Sequence, residues 1–276
     1  MTGAILVEGL PGAGKSTTAT RLAAALADDG TAVDHWPEDR PGHPVDLADA
    51  AVLGAEELAA LRSAGPGWRA ALDGAIRVAD AWVVPYGGGA DLPAGLAEAL
   101  RRHDVYDGDV PLARHARTLL SRWAAFGSAP PPPAVQVWEC VLLQNPGCVF
   151  HVRHDRPEAL EPHVHALVAA VRAHAPALVY LDAGDPEPVV RRAAAERPAA
   201  WLDLVVGYHT GQGHGLARGL RGFDGYVEVL RARREIELDL LPRLALPTLV
   251  VDPRSGSAGT EILAFARDHL TAAGEP

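Results

Sequence analysis

The chain has few residues of several kinds, and each scarcity excludes a class of protein. Cys140 and Cys148 are the only cysteines among 276 residues, which excludes a disulfide framework and indicates a reducing compartment. No apolar run approaches the roughly 18 residues that a membrane span needs, and residues 1–8 lack the basic segment and the apolar length of a secretion signal. We therefore expect a cytoplasmic protein that does not insert into a membrane.

Basic residues are outnumbered by acidic ones. Lysine and arginine total 25 and aspartate and glutamate total 35, so the net charge is −10 with histidine neutral. An acidic chain without a basic run is a poor candidate for binding nucleic acid or an anionic membrane surface. Hydrophobic residues make up 48% of the chain, enough for a substantial core, and the length suits one large α/β domain or one domain with an inserted subdomain.

Lysine is nearly absent, because Lys15 is the only one and the other 24 basic residues are arginines. The chain is rich in Ala, Arg, Gly and Pro, as a GC-rich coding bias would produce, and such a bias replaces lysine wherever either cation serves. A lysine that survives it indicates a site for which the planar fork of arginine is unsuitable. Chance survival is the alternative, and the residues around Lys15 argue against it.

Lys15 lies in a phosphate-binding motif. Residues 9–16 read Gly-Leu-Pro-Gly-Ala-Gly-Lys-Ser, a full match to G-x-x-x-x-G-K-[ST]. An apolar run at 4–7 predicts a buried parallel strand before the motif, and the apolar spacing of 16–27 predicts a helix after it. Glycines allow backbone N–H groups to surround phosphates at the positive end of the helix dipole. Lys15 would reach the β- and γ-phosphates, and Ser16 would hold Mg²⁺.

The motif predicts the residues that contact ATP and excludes two other classes of P-loop protein. A regulatory GTPase would need an Asn-Lys-x-Asp motif, which is impossible when Lys15 is the only lysine, and the Leu-Ser-Gly-Gly-Gln signature of transporter ATPases is absent. The classes of P-loop protein that remain are chiefly small-molecule kinases. The predicted ATP contacts in the motif are Gly9, Pro11, Gly12, Ala13, Gly14, Lys15, Ser16 and Thr17.

Apolar runs at 31–33, 135–138, 177–182 and 247–252 predict four more strands. Together with the first strand they predict an α/β protein with the three-layer P-loop NTPase fold and about five parallel strands. Residues 45–126 have a mostly helical pattern, and we interpret about 45–130 as a helical insertion that binds the phosphoryl acceptor. Residues 187–225 would form a lid region, all within a single kinase domain spanning 1–276.

Acidic residues follow two of the predicted strands, at the sheet edge where ligands bind. Glu38 and Asp39 lie in a stiff proline-rich loop after the second strand, and Glu139 ends the third strand. A carboxylate at the end of an apolar strand is costly unless it has a partner, so we predict Glu139 as a catalytic residue that holds a Mg²⁺ water. Glu38 would be the catalytic base, and Asp39 would contact the substrate. A solvated acidic turn is the alternative for Glu38 and Asp39.

Arginines on the helix after the fourth strand are placed to neutralise a transferring phosphoryl group. We predict Arg192 as catalytic, and Arg191 and Arg197 as contacts to the nucleotide; an ordinary ion-paired helix is the alternative. A later helix carries Arg233 and Glu237 at the i,i+4 spacing of a charge pair.

Three residues are candidates for binding the acceptor. Tyr86 lies in a glycine-rich break inside the predicted insertion, and Gln144 and Asn145 follow the third strand. Core packing is the alternative for Tyr86, and helix capping is the alternative for the two amides. The loop after the last strand, with Pro253 and Arg254, is a weaker candidate for contacting the nucleotide base.

Three stretches resemble the deoxynucleoside kinase and thymidylate kinase group of P-loop kinases. Residues 7–17 are similar to the opening strand and loop of that group, Trp138-Glu139-Cys140 to the acidic end of its third strand, and Tyr180-Leu181 with Pro186-Glu187 and Arg192 to its fourth strand and lid helix. The resemblance implies that Glu38 corresponds to the catalytic carboxylate, that ATP with Mg²⁺ is the donor, and that the protein forms a homodimer, as that group often does. The acceptor side departs from the group, since Glu139 is not followed by Arg-Ser or Arg-Tyr.

The sequence thus predicts a kinase that transfers the γ-phosphoryl of ATP to a hydroxyl or phosphate of a small molecule, with a nucleoside or nucleotide as the favoured class. A kinase that modifies an antibiotic or a secondary metabolite is the alternative among enzymes. A nucleotide-binding switch or slow ATPase with a protein partner is the alternative from another class. A pocket in which Tyr86, Trp82 and Glu38 converge would favour the enzyme, and an exposed apolar patch there would favour the switch.

Overall fold

The computed structural model describes residues 2–38 and 40–273, so the predicted substrate contact Asp39 lies outside the described residues. The chain divides into two compact units. Unit 1 comprises Met1–Glu38 and Ala129–Pro276, and unit 2 comprises Asp39–Ser128. The predicted insertion, about 45–130, overlaps unit 2.

The strands are short, and the helices range from one turn to five. In chain order the strands are β1 (Ala4–Gly9), β2 (Val33–Trp36), β3 (Ala50–Leu53), β4 (Ile76–Val78), β5 (Ala81–Pro85), β6 (Val135–Glu139), β7 (Pro176–Leu181) and β8 (Thr248–Val251). The helices are α1 (Lys15–Asp28), α2 (Ala55–Ala64), α3 (Trp68–Leu72), α4 (Leu96–Arg101), α5 (Leu112–Ser128), α6 (Gln144–Gly147), α7 (Leu160–Ala170), α8 (Pro186–Glu196), α9 (Ala199–Thr210), α10 (Gly213–Ala217), α11 (Gly222–Leu240) and α12 (Ala258–Ala273). A π-helical turn, Cys148–Arg153, follows α6, and 3₁₀ turns lie at Pro157–Ala159, Arg172–His174 and Leu241–Arg243. Within the part of the chain that the structure describes, no helix combines the length and apolar character needed to cross a membrane.

Unit 1 is built on a parallel sheet of five strands in the order β2-β6-β1-β7-β8. This confirms the predicted α/β class and all five predicted strands. β2 begins two residues later than the sequence suggested and extends through polar residues. The strand tolerates them because His35 and Trp36 hydrogen-bond to Glu139 and Gln136 of the neighbouring β6.

The two faces of this sheet have different chemical character. On one face Ile5 and Val7 of β1 pack against Leu22 and Leu26 of α1, together with residues of α12. Burial of each such aliphatic side chain contributes roughly 1.5–3 kcal/mol. On the other face Glu8 lies beside Tyr180 of β7, and the Tyr180 hydroxyl donates to Glu237 of α11. One face is therefore an apolar core, and the other carries buried polar groups.

Unit 2 is less helical than the sequence predicted. It contains a three-stranded antiparallel sheet in the order β3-β5-β4, together with helices α2 to α5. The expectation of a mostly helical pattern over 45–126 is corrected here, because β3, β4 and β5 lie within that range. β3 is a buried apolar run of four residues, and β4 and β5 form a hairpin whose turn holds Ala79 at a φ of 52°. The sheet packs with Leu58, Leu72 and Leu100 in the core of the unit.

Candidate active site

A glycine-rich loop connects β1 to α1. Gly9, Gly12 and Gly14 have φ values of 142°, 81° and 91°, which are disfavoured for residues with a side chain. A Cβ atom at Gly9 would lie 2.6 Å from the carbonyl oxygen of Leu181 in β7, whereas a Cβ atom at Gly14 would meet nothing within 4 Å. The loop is therefore packed against the sheet at its start and open at its end.

Lys15 begins α1 at the open end of this loop. Its side chain is 8% exposed, and its ammonium donates to the carbonyl oxygen of Leu10 at 3.2 Å, across the loop. An ammonium carries three N–H groups, so one fixes the loop. The first N–H groups of a helix have no partner within the helix, and the helix dipole makes that end positive. Lysine and helix terminus together suit the binding of an anion.

A cavity of about 450 Å³ opens over the loop, and its lining residues all belong to unit 1. Most of the residues predicted from the sequence line it, namely Pro11, Gly12, Gly14, Lys15, Ser16, Thr17, Glu38, Gln144, Arg192 and Arg197. The remainder of the lining comes from the π-helical turn after α6 and from helices α8, α9 and α11, including Cys148, Glu196, Trp201, His209 and Arg233. The predicted loop, carboxylate and lid residues thus share one cavity.

The other described candidates lie elsewhere. Gly9 and Ala13 are buried within the loop, and Asn145 lies on α6 outside the cavity lining. Arg191 turns to Glu187, to which its Nε and Nη2 donate at 3.1 and 2.8 Å, and its guanidinium stacks on Phe223. That geometry matches the ion-paired alternative raised for this helix.

Tyr86, like Glu139, is absent from the cavity lining, and it belongs to unit 2. Its hydroxyl donates to Asp104 Oδ2 at 2.5 Å. Burial and this neighbouring carboxylate raise the pKa of Tyr86 well above its usual range, so the phenol remains a neutral donor. Within unit 2 it ties the end of β5 to the turn after α4.

Glu38 is held by two donors from the segment that follows β6. Its Oε1 accepts from Gln144 Nε2 at 2.7 Å, and its Oε2 accepts from Cys140 Sγ at 3.4 Å. Burial raises the pKa of the Cys140 thiol, which therefore stays protonated and donates. Cys140 has a φ of 68°, a left-handed conformation that turns the chain sharply at the end of the strand. This turn supplies the donors that fix the Glu38 carboxylate.

Glu8 is a site residue that the sequence analysis did not single out. It is fully buried in β1, and its carboxylate accepts from the backbone N–H groups of Leu142 at 2.6 Å and Gln144 at 3.0 Å. Burial raises the pKa of Glu8 from 4.5 to about 7, although the backbone hydrogen bonds oppose the shift. The available signal was an acidic residue inside an otherwise apolar strand, which is costly without partners. Glu8 anchors the segment whose Gln144 side chain holds Glu38.

Glu139 ends β6 on the sheet face that packs against α1. Its Oε1 accepts from His35 Nε2 at 2.9 Å, and its Oε2 is buried without a hydrogen-bond partner among the described residues. Buried carboxylate oxygens are normally satisfied. Across residues 2–38 and 40–273, no group of three or more His, Cys, Asp or Glu side chains is arranged to hold a metal. Mg²⁺, however, is commonly held by one or two protein groups, waters and substrate phosphates. The Ser16 hydroxyl and the orphaned Glu139 oxygen are groups of that kind, although only Ser16 lines the cavity.

Arg233 and Glu237 form the ion pair that their i,i+4 spacing suggested, and the pair is buried. Arg233 is 1% exposed, and its Nε donates to Glu237 Oε1 at 2.5 Å. Glu237 Oε2 accepts from the Tyr180 hydroxyl at 2.7 Å. The Arg233 Nη1 group approaches Cys148 Sγ at 3.7 Å, whereas Nη2 is buried and has no partner among the described residues. Burial of this guanidinium was the feature missed from the sequence.

No protein-family model matches this chain. No curated protein matches it significantly. The interpretation of the cavity therefore depends on its own residues and geometry.

A second cavity, of about 410 Å³, lies beside α1 in unit 1. Thr18, Arg21 and Leu22 of α1 line one side, and Pro253 and Ser255 of the loop after β8 line the other. Arg254, which the sequence suggested as a base contact, instead forms two hydrogen bonds with Asp252 at 2.8 and 2.7 Å. The cavity joins the first turns of α1 to the loop that follows the last strand.

Proposed function

We propose that the protein is an ATP-dependent phosphotransferase with the P-loop NTPase fold. It transfers the γ-phosphoryl of ATP to a hydroxyl or phosphate of a small molecule, with a nucleoside or nucleotide as the favoured class. The observation that carries this proposal is a single cavity in which Lys15, the α1 N-terminus, three arginines and a fixed carboxylate meet. Phosphoryl transfer needs little more from a protein than positioning and charge neutralisation.

In this cavity the cationic side chains would bind and neutralise the phosphates, and the carboxylate would act on the acceptor. Lys15 would bind the β- and γ-phosphates at the open end of the loop, where Gly14 leaves room for them. Arg192 and Arg197, exposed on α8 and just after it, would neutralise charge that develops on the transferring group. Glu38 would accept the proton of the acceptor hydroxyl, and Gln144 with Cys140 would keep it oriented.

Ser16 and Glu139 would hold Mg²⁺, the hydroxyl as a ligand and the carboxylate through a bound water. The orphaned Oε2 of Glu139 supports this assignment. Bound Mg²⁺ would supply positive charge at the β- and γ-phosphates. The base of the nucleotide would occupy the second cavity, between α1 and the loop carrying Pro253.

A nucleotide-binding switch with a protein partner has weaker support. Leu204 on α9 and Leu216 on α10 are 70% and 67% exposed. Scattered exposed leucines are normal on soluble proteins, whereas a cavity that gathers four cationic side chains beside a fixed carboxylate suits a small anionic reactant.

The test is a product assay with ATP, Mg²⁺ and a mixed pool of nucleosides, nucleotides, sugars and aminoglycoside-like alcohols, analysed by mass spectrometry. Lys15→Ala is the inactive variant, and Arg267→Ala is the matched control, because Arg267 only pairs with Asp29 on the surface. A phosphorylated product from the wild type and the control but not from Lys15→Ala would support the proposal. Slow ADP release without acceptor consumption would favour the switch, and ATP that is neither bound nor consumed would overturn both.

A further inference from the structure

Helices α9 and α11 line one end of the 450 Å³ cavity, and this end contains a buried cation. Arg233 of α11 lines it together with His209 and Trp201 of α9 and Cys148 of the π-helical turn. Arg233 is 1% exposed, yet its Nη2 group finds no hydrogen-bond acceptor among the described residues. Arg233 is thus a buried cation that lines the cavity and has an N–H group that the described residues leave unused.

A buried guanidinium with unused donors is costly, because desolvation is compensated only when its N–H groups are bonded. Glu237 offsets part of the charge of Arg233 through Nε, and it shares its second oxygen with Tyr180. Gly147 allows the pair to lie close to α6, since a Cβ atom there would come within 3.3 Å of Arg233 Nε. The fold thus keeps the guanidinium in place with Nε bonded to Glu237, while Nη2 has no hydrogen-bond partner among the described residues.

The rest of the lining favours a negatively charged ligand. Among the described residues lining the cavity, Lys15, Arg192, Arg197 and Arg233 are cationic, and only Glu38 and Glu196 are acidic. The chain as a whole carries a net charge of −10. A cavity whose sign is opposite to that of the protein concentrates anions from solution.

His209 adds a hydrogen-bond acceptor beside the guanidinium. Its Nδ1 lies 2.8 Å from the carbonyl oxygen of Val205, to which it donates, and its Nε2 is buried without a partner among the described residues. Burial lowers the pKa of His209 to about 4, so the ring is neutral at pH 7 and Nε2 is an acceptor. Trp201 also lines the cavity, and the Arg197 guanidinium stacks on its ring at 4.4 Å.

We propose that this end of the cavity is a subsite for an oxyanion, a carboxylate or a phosphate, carried by the phosphoryl acceptor and bound by Arg233 Nη2. The inference rests on the proposed function for the role of that ligand as acceptor. A donor O–H or N–H beside the oxyanion bonds to His209 Nε2. The acceptor is accordingly an acidic small molecule, anchored by its anionic end on α11 while its hydroxyl faces the glycine-rich loop.

The test uses hydroxyl-bearing acceptors in matched pairs that differ only in the acidic group: nucleoside 5′-monophosphates against nucleosides, and hydroxy acids against their amides. With ATP and Mg²⁺, we expect the acidic member to be phosphorylated and the neutral member to react far more slowly. The phosphate and carboxylate pairs distinguish the two sources of the oxyanion. Equal rates for acidic and neutral members would overturn the subsite while leaving the kinase proposal intact.

Variants of Arg233 test the residue itself. Arg233→Lys keeps the charge next to Glu237 but removes Nη2, and it should raise the KM for the acidic acceptor about tenfold or more with the KM for ATP unchanged. Arg231→Lys is the matched control on the same helix, because Arg231 pairs with Asp185 and Glu228. A triple variant, Arg233→Met with Glu237→Leu and Tyr180→Phe, removes the polar network without leaving an unpaired charge, and it should raise the same KM. An unchanged KM in both variants would overturn the proposal.

A binding measurement keeps the subsite testable if no phosphoryl transfer occurs. Lys15→Ala protein, in which the loop lysine is absent, is titrated with inorganic phosphate and separately with acetate. The change in intrinsic tryptophan fluorescence is followed, and its loss in a Trp201→Phe background identifies the contribution of Trp201. Saturable binding that disappears when Arg233→Lys is added to Lys15→Ala would support the oxyanion subsite even though the kinase proposal had failed. No saturable response to either anion, or one that Arg233→Lys leaves unchanged, would overturn it.

Discussion

The carboxylate of Glu8 accepts the backbone N–H of Gln144 at 3.0 Å, across 136 positions of sequence. Glu8 directly precedes the glycine-rich loop, and the side chain of Gln144 holds Glu38 at 2.7 Å. The last residues of the central strand therefore support both the loop and the carboxylate proposed to act on the acceptor. A change in the protonation state of Glu8 would therefore affect both the loop and the position of the Glu38 carboxylate.

We expect Glu8 to make stability depend on pH. Burial raises its pKa from 4.5 to about 7, so the folded protein binds a proton between these values that the unfolded chain releases. The stabilisation is complete below pH 4.5 and is lost as the pH rises through 7. Relative to Glu8→Gln, the free energy of unfolding of the wild type should fall by about 3 kcal/mol across this range. Urea unfolding at several pH values measures the difference, and a pH-independent difference would contradict the assignment.

Gly9 and Gly14 should respond differently to alanine. Gly14→Ala should cost about 1–2 kcal/mol of stability, since a Cβ atom there meets nothing within 4 Å and only the backbone is strained. Gly9→Ala adds a Cβ atom 2.6 Å from the backbone of β7 and should cost about 3 kcal/mol or more. Denaturant midpoints of the two variants provide the comparison. Equal losses would show that the contact with β7 does not constrain the loop.

Removal of the Glu38 carboxylate should slow the proposed reaction without weakening nucleotide binding. Glu38→Gln is expected to lower kcat by about 100-fold and to leave the KM for ATP unchanged. Gln144→Leu should lower kcat less, because Cys140 still donates to Glu38. Glu196→Gln is the matched control, a carboxylate in the same cavity that no step of the proposed mechanism uses. If the control variant loses as much activity as Glu38→Gln, the result would contradict the proposed role of Glu38 as the base.

The buried pair on α11 should be far more sensitive to loss of one partner than to loss of both. Glu237→Leu leaves the Arg233 guanidinium buried without a counter-charge, and it should cost about 3–5 kcal/mol. The triple apolar variant of Arg233, Glu237 and Tyr180 should cost much less, because no unpaired charge remains. Chemical denaturation of both proteins tests this order of stability, which a surface pair would not show.

Tyr86→Phe should weaken unit 2 by about 1–3 kcal/mol, since Asp104 Oδ2 loses the donor that it holds at 2.5 Å. Thermal unfolding measures this loss. The KM for an acceptor, measured on the same variant, tests the separate sequence prediction that Tyr86 contacts substrate. A stable variant with an unchanged KM would assign Tyr86 neither role.

Most of the parallel sheet was predictable because β1, β6, β7 and β8 are short, largely apolar runs bounded by glycine, proline or charge. The strands of unit 2 were not. Ala50–Leu53 lies among alanine- and leucine-rich residues, and although Gly54 follows it directly, its composition also fits a helix. The β4–β5 turn contains Ala79 and Asp80 and no glycine, although Ala79 adopts a positive φ.

Within the candidate site, the loop residues were predictable and the buried charges were not. A contiguous motif carries its spacing in the sequence, whereas the donors to Glu8 lie 134 and 136 positions away. Arg233 and Glu237 have the same i,i+4 spacing whether a helix exposes them or buries them, and only the packing of α11 against β7 and α6 decides. Which charge is buried depends on which elements meet.

A single lysine makes the glycine-rich loop chemically addressable. Reductive methylation with isotope-labelled formaldehyde would introduce one labelled lysine side chain, and its methyl resonance would report on the loop alone. The 8% exposure of Lys15 means that the reagent reaches the ammonium only when the loop is open to solvent. Every lysine-directed modification of this chain, including acetylation, would therefore act on the ammonium that bonds to Leu10 across the loop.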